Sequence, residues 1–117
     1  MGIFRPAALS RRDTRSIVEG KLGWILSACD PCEVWLFGSA ARDSMTEASD
    51  VDLAVVFEDS TTLAASRRTL YATPRLDDWP QDIVFFVAED LYERSVVGGL
   101  PMLIVEEGRK IYERGAS

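Results

Sequence analysis

The sequence predicts an α/β (α+β) fold, a small mixed β-sheet flanked by helices in one domain. Three observations predict it. Three short, largely apolar runs, EVWLF, VDLAVVF and DIVFFVA, and the closing RKIY have the length of strands. Segments with helical spacing of apolar residues lie between these runs, which is the order of a helix-covered sheet. The 117 residues suffice for one core and are too few for two ordinary domains, so a single domain over 1–117 is expected.

Ser10-Arg11-Arg12-Asp13 has the form of a capping box, a Ser side chain followed three residues later by an acid. Ile17, Val18, Leu22, Ile25, Leu26 and Cys29 then recur at helical spacing, and Asp30-Pro31 ends the helix. Gly20 and Gly23 weaken this helix. Glu33 to Phe37 is a buried strand that Gly38 stops, and a short helix starts at Ala40. Val51 to Phe57 is a second strand, its continuous apolar content fitting coverage on both faces. Thr61 to Ala72 reads as a helix capped by Ser60 or Thr61. The polar loop TPRLDDWPQ follows, then a third, buried strand from Asp82 to Ala88. Glu89 to Val97 is a helix ended by Gly98-Gly99, Pro101 to Glu107 a last helix, and Arg109 to Tyr112 a closing strand. There is no internal repeat, low-complexity segment or linker.

Composition narrows the chemistry. Hydrophobic residues make up 47% and charged residues 27%, the balance of a folded globule. No apolar run reaches the roughly 20 residues of a membrane helix, and MGIFRPAALSRRD lacks the apolar core of a secretory signal, so a cytoplasmic location is expected. Nineteen acidic and 13 basic residues give a net charge of -6, which argues against direct nucleic-acid binding but not against a nucleotide bound through divalent ions. The absence of histidine removes Ser-His-Asp and Cys-His nucleophiles and His-ligated zinc. Cys29 and Cys32 cannot complete a four-ligand zinc site. They follow a helix rather than open one, so a turn with two partly buried thiols is preferred over a redox pair.

Asp50 and Asp52 flank Val51 at the head of the second strand. Side chains alternate in a strand, so the two carboxylates share a face about 7 Å apart while Val51 points into the core. Such a pair repels itself unless a cation intervenes, and an oxygen-rich site suits magnesium or manganese; two solvated aspartates at a strand entry are the plainer alternative. Three features favour the metal. Gly38-Ser39 forms a strand-to-helix turn whose backbone N–H groups and hydroxyl can cradle a phosphate. Arg42 lies one turn into the short helix, where it meets phosphate oxygens or pairs on the surface with Asp43 or Glu47. Asp82 heads an apolar strand and, if that strand neighbours Val51–Phe57, brings a third carboxylate to a two-metal site. Asp77 and Asp78 compete for this place, but solvation in their loop explains them.

GSAAR, ten residues between Ser39 and Asp50, SDVDLAVVF and a later acid heading a strand resemble the nucleotidyltransferase fold of the DNA polymerase beta superfamily. Within it, the closest likeness is to the minimal nucleotidyltransferase group, which the closing EEGRKIYERG also resembles. The resemblance implies that Gly38 and Ser39 hold the triphosphate, with Arg42 beside them. It implies that Asp50 and Asp52 ligate two Mg2+ ions (Mn2+ being an alternative), and that Asp82 ligates the ion activating the attacking hydroxyl. The implied reaction is in-line attack on the α-phosphate of an NTP, ATP by expectation, with release of pyrophosphate. One position departs from the family pattern: Asp43 stands where Gly often follows the arginine. Asp tolerates left-handed geometry, and its charge would either weaken nucleotide binding or help hold metals.

Minimal nucleotidyltransferases are commonly paired with helical HEPN-type proteins as antitoxin and toxin. The resemblance therefore implies a tyrosine of such a partner as the acceptor, with a homodimer as another way to present one. The alternatives are a binding module that neutralises its partner by occlusion, and a small-molecule, aminoglycoside-type nucleotidyltransferase. Trp24 and Trp35 are expected in the core. Trp79 is the candidate for an exposed contact with base or partner, and the apolar stretch 98–104, GGLPMLI, for a dimer or helix-docking surface.

Overall fold

The computed structural model describes residues 5–115. Its elements follow the order α1 (Arg11–Ala28), β1 (Glu33–Phe37), α2 (Gly38–Ala41), β2 (Val51–Phe57), α3 (Ser60–Ala72), β3 (Gln81–Val87), α4 (Ala88–Ser95), α5 (Gly99–Glu107) and β4 (Arg109–Glu113). The order is the one the sequence predicts. The four strands form one mixed sheet in the order β3-β2-β1-β4. β1 runs antiparallel to both β2 and β4, while β2 and β3 are parallel and joined through α3. That crossover needs a helix-length connection, which the α3 segment supplies.

Alternation along the central strands divides the core in two. Val34, Leu36, Val51, Leu53, Val55 and Phe57 face α1 and α3, packing with Trp24, Ile25 and Leu70. Trp35, Phe37, Ala54 and Val56 face the other way, under Leu91 of α4 and Ile104 of α5. β2 is therefore covered on both faces, as its continuous apolar run requires.

Local differences from expectation have identifiable causes. Ser10 does cap α1, accepting from the Asp13 N–H at 3.0 Å. The buried stripe of α1 runs through Thr14, Val18, Lys21, Trp24 and Ile25, rotated from the predicted one, and leaves Leu26 36% exposed. α3 is capped by Asp59, which accepts from the Thr62 N–H at 2.7 Å, rather than by Ser60 or Thr61. A carboxylate in extended backbone meets that amide directly. β3 is an edge strand in which only Phe86 is buried, not the buried strand expected. Its outer side chains are sheltered instead by α3, with Tyr71 edge-on to Phe85 and Arg67 stacked 5.6 Å from the same ring.

Trp24 and Trp35 are buried, as expected. Cys29 and Cys32 are free and half-buried, their sulfhydryls donating to the Ile25 and Val56 carbonyls. Burial, and then the neighbouring Asp30 and Glu33 carboxylates, push both thiols up from their ordinary value, opposite to what a reactive thiolate needs. No described helix is long and apolar enough to cross a membrane.

Candidate active site

The sheet brings the motif residues to one place. β1 ends at Phe37, which pairs with Asp52 on β2, so Gly38 emerges beside the Asp52 side chain. Parallel pairing sets Asp82 of β3 directly opposite Asp52. Residues so paired share a face of the sheet, and Asp50 lies two residues upstream of Asp52 on the approach to β2. Asp50 and Asp82 are exposed and Asp52 is half-buried. The acids sit at the open heads of β2 and β3, while α4 and α5 cover the same face further along.

The turn after β1 is tight. Gly38 has φ 69°, and a Cβ placed on it would lie 2.1 Å from Asp52 Oδ2. Only glycine allows the backbone this approach, so GSAAR and DVD are in contact. Gly38 opens α2, which begins two residues before the predicted start at Ala40. Arg42 accordingly falls just past the helix as its C-cap rather than one turn inside it. The Ser39 carbonyl gathers the Arg42 N–H at 3.2 Å and the Ser44 N–H at 2.9 Å. Asp43 adopts φ 55°, the left-handed geometry that Asp tolerates. Its carboxylate lies 3.8 Å from both Arg11 and Arg109, so its charge is directed towards α1 and β4.

The ten residues between Ser39 and Asp50 are pinned rather than loose. Ala8 bridges Thr46, the Leu9 N–H donates to the Met45 carbonyl, and Ser49 Oγ accepts from the Thr46 N–H at 2.8 Å. Met45 is buried. Sequence reading missed these supports, although Thr46 and Ser49 carried the signal of a side-chain-stabilised turn.

The electrostatics mark Asp52 as the strained carboxylate. Burial, then the charges of Asp82 and Asp50, push its carboxyl above the ordinary aspartate range, and Arg42 only partly opposes them. Among the described residues, no three His, Cys, Asp or Glu side chains are arranged to hold a metal ion by themselves. The expected convergence of three carboxylates is therefore realised as a facing pair, Asp52 and Asp82, with Asp50 alongside. The donor set still fits a hard divalent cation: it is all oxygen, it carries uncompensated negative charge, and Mg2+ takes few protein ligands and fills the rest with water and phosphate.

The competing acid Asp77 has other partners. Its Oδ1 accepts from Lys21 Nζ at 2.6 Å and from the Trp79 N–H at 2.7 Å. Trp79 is not the free contact expected. Half-buried against the core, it donates its indole N–H to the Ser49 carbonyl at 2.9 Å. In the 98–104 stretch Pro101 and Ile104 are buried, and the exposed apolar side chains are Val96, Val97 and Leu100, displaced towards the α4–α5 connection.

Comparison with known proteins agrees with this architecture. A crystal structure of a candidate nucleotidyltransferase from Sulfolobus solfataricus superposes with a TM-score of 0.59 at 20% identity, over 97% of this chain and 93% of that one. At that identity the likeness establishes the fold. No functionally curated protein matches. Residues 18–111 match the nucleotidyltransferase domain family, a span that contains the Gly38-Ser39 turn and all three strand-head aspartates. The chain belongs to the nucleotidyltransferase domain family.

Proposed function

We propose that the protein transfers a nucleoside monophosphate, AMP from ATP, to a hydroxyl of a protein acceptor. The observation that carries this reading is the Asp52–Asp82 pair, held in register on adjacent parallel strands against the Gly38-Ser39 turn. The Ser39 hydroxyl, the backbone of its turn and Arg42 bind and orient the triphosphate. Asp50 and Asp52 would hold two Mg2+ ions (or Mn2+), with Asp82 as a further ligand. Divalent ions held there would supply neutralisation of the phosphate charge and acidification of the attacking hydroxyl, in a chain that has no histidine to act as base. Asp82, exposed at the head of β3, would take the released proton.

A protein acceptor suits a site whose outer carboxylates lie on open surface. Two clefts beside α1, of about 530 and 670 Å³, are lined by none of the three acids. Such a site leaves the acceptor to bring its own surface. A tyrosine of a helical HEPN-type partner is the acceptor we favour on the resemblance of the sequence to minimal nucleotidyltransferases, and the pair would act as toxin and antitoxin. The alternative, a module that silences its partner by occlusion, is favoured by one observation: the three acids are not closed around a common point.

Transfer of α-labelled ATP, CTP, GTP or UTP in magnesium, with the helical product of an adjacent gene as acceptor, tests the reading. Label on that partner, lost in Asp52→Ala, is the expected result. Tight binding of the partner without label from any nucleotide would establish occlusion instead.

A further inference from the structure

Lys21 is the least expected buried group in the molecule. It lies in the middle of the buried stripe of α1 with 2% of its surface exposed. Its Nζ donates to Asp77 Oδ1 and to the Trp79 carbonyl, each at 2.6 Å. Burial alone would push the Asp77 carboxyl up, but hydrogen bonds from Lys21 and the Trp79 N–H outweigh it and hold the group below its ordinary value. Arg75 also donates to the Trp79 carbonyl. A lysine this deep is costly unless paired, and here the pairing fixes one short segment, residues 77–79, against α1.

That segment is tied onward to the strand heads. The Trp79 indole donates to the Ser49 carbonyl at 2.9 Å, and the next residue, Pro80, accepts from the Val51 N–H at 2.9 Å. Residues 79 and 80 thus staple residues 49 and 51, the two neighbours of Asp50, while leading directly into Gln81 and Asp82 of β3.

We infer that Lys21 is a positioning residue: through Asp77 and Trp79 it fixes the spacing between the Asp50–Asp52 strand head and Asp82. The inference rests on the proposed reading of those acids as the metal-holding set. Strand pairing sets Asp52 opposite Asp82, but Asp50 precedes the first paired residue, Val51, and β3, as an edge strand, is hydrogen-bonded on one side only. The half-buried Lys21–Asp77 pair adds a further restraint from the opposite face of the sheet. Preorganisation of this kind decides whether a second set of residues can hold the first in working geometry.

Two variants test it. Trp79→Phe keeps the ring and removes only the N–H directed at Ser49. Lys21→Met/Asp77→Leu replaces the buried lysine and its half-exposed partner with apolar side chains, and its urea midpoint reports any loss of stability. Mn2+ binding in the presence of ATP, followed by its paramagnetic resonance, and amide exchange at Val51 are read beside the urea midpoint. Positioning predicts at least a tenfold loss of Mn2+ affinity and at least tenfold faster Val51 exchange in both variants, with Trp79→Phe unfolding at nearly the wild-type midpoint. Wild-type Mn2+ affinity and wild-type Val51 protection in Trp79→Phe would overturn the inference. A wild-type protein that binds no Mn2+ with ATP would overturn the proposed acid site itself, a result separable from this one because Val51 exchange still decides whether the staple holds.

Discussion

At Gly38 the backbone takes φ 69°, and an added Cβ would stand 2.1 Å from Asp52 Oδ2 and 3.1 Å from its Cγ. The clashing atom is the end of a side chain that can swing, so Gly38→Ala relieves the overlap by displacing the carboxylate. The variant is expected to stay folded, lose about 1–2 kcal/mol from the left-handed backbone alone, and transfer nucleotide at least tenfold more slowly. Urea denaturation and the labelled-nucleotide assay separate the two effects, and a native transfer rate would show that the position of Asp52 is unimportant. Asp43 poses the opposite case. Its φ of 55° is a backbone requirement, while its carboxylate meets Arg11 and Arg109 at only 3.8 Å and on the surface. Asp43→Asn preserves the backbone preference and is expected to change stability by less than about 0.5 kcal/mol and transfer not at all. A marked gain or loss of transfer would place the Asp43 charge among the groups that act on nucleotide or metal.

Further along the same face of the sheet, α4, β1 and β4 are joined by a polar knot. Tyr92 of α4 donates its hydroxyl to Glu33 of β1 at 2.8 Å, and Lys110 of β4 approaches the same carboxylate at 3.2 Å. Burial, then the hydrogen bond and charge of Glu33, push Tyr92 up to about 12. Its folded value lies above the unfolded one near 10, so its contribution is complete below pH 10 and disappears as the pH rises through 12. Alkaline titration of phenolate absorbance should show a late step that is absent in Tyr92→Phe, a variant that should also cost about 1 kcal/mol. Absence of the late step from the wild-type titration would show that the knot does not form in solution. This knot was invisible in the sequence, whereas the order of the elements was not. Apolar runs and capping residues report what a segment becomes, because those preferences are local. They do not report which strand lies at an edge, and so β3 was expected to be buried. Lys21 escaped notice for the same reason: nothing near it in sequence indicates burial, since its partner Asp77 is 56 residues away. The residues that the sheet brings together at its strand heads were legible because GSAAR and DVD are short motifs; the links from Asp77 to Lys21 and from Trp79 to Ser49 were not, because they join residues far apart in sequence.

Across the whole molecule, stability and function pull against each other at the strand heads. The fold places Asp52 opposite Asp82 and near Asp50, with Arg42 as the opposing cation, in a chain already carrying a net charge of -6. The Asp52 carboxyl is raised in the folded state, so its favourable contribution exists below the ordinary aspartate pKa and is lost as the pH rises through the raised value. At neutral pH the ionised group therefore works against folding until a cation joins it. Asp52→Asn should raise the melting temperature of the metal-free protein by a few degrees while abolishing transfer, the exchange expected where a charged site is kept for activity. Magnesium with ATP at a hundred times its dissociation constant should stabilise the wild-type protein by about 2.7 kcal/mol, on the order of 10 °C for a chain this size, because only the folded state offers the site. The same addition should leave Asp52→Asn nearly unmoved. Since protons compete with the metal for the Asp52 carboxyl, the affinity for Mg2+ with ATP should fall as the pH is lowered through the raised value of that group. Thermal melts of both proteins, with and without Mg2+ and ATP, measure the trade directly: equal melting temperatures in the metal-free state and equal shifts on addition would show that Asp52 bears neither the strain nor the metal.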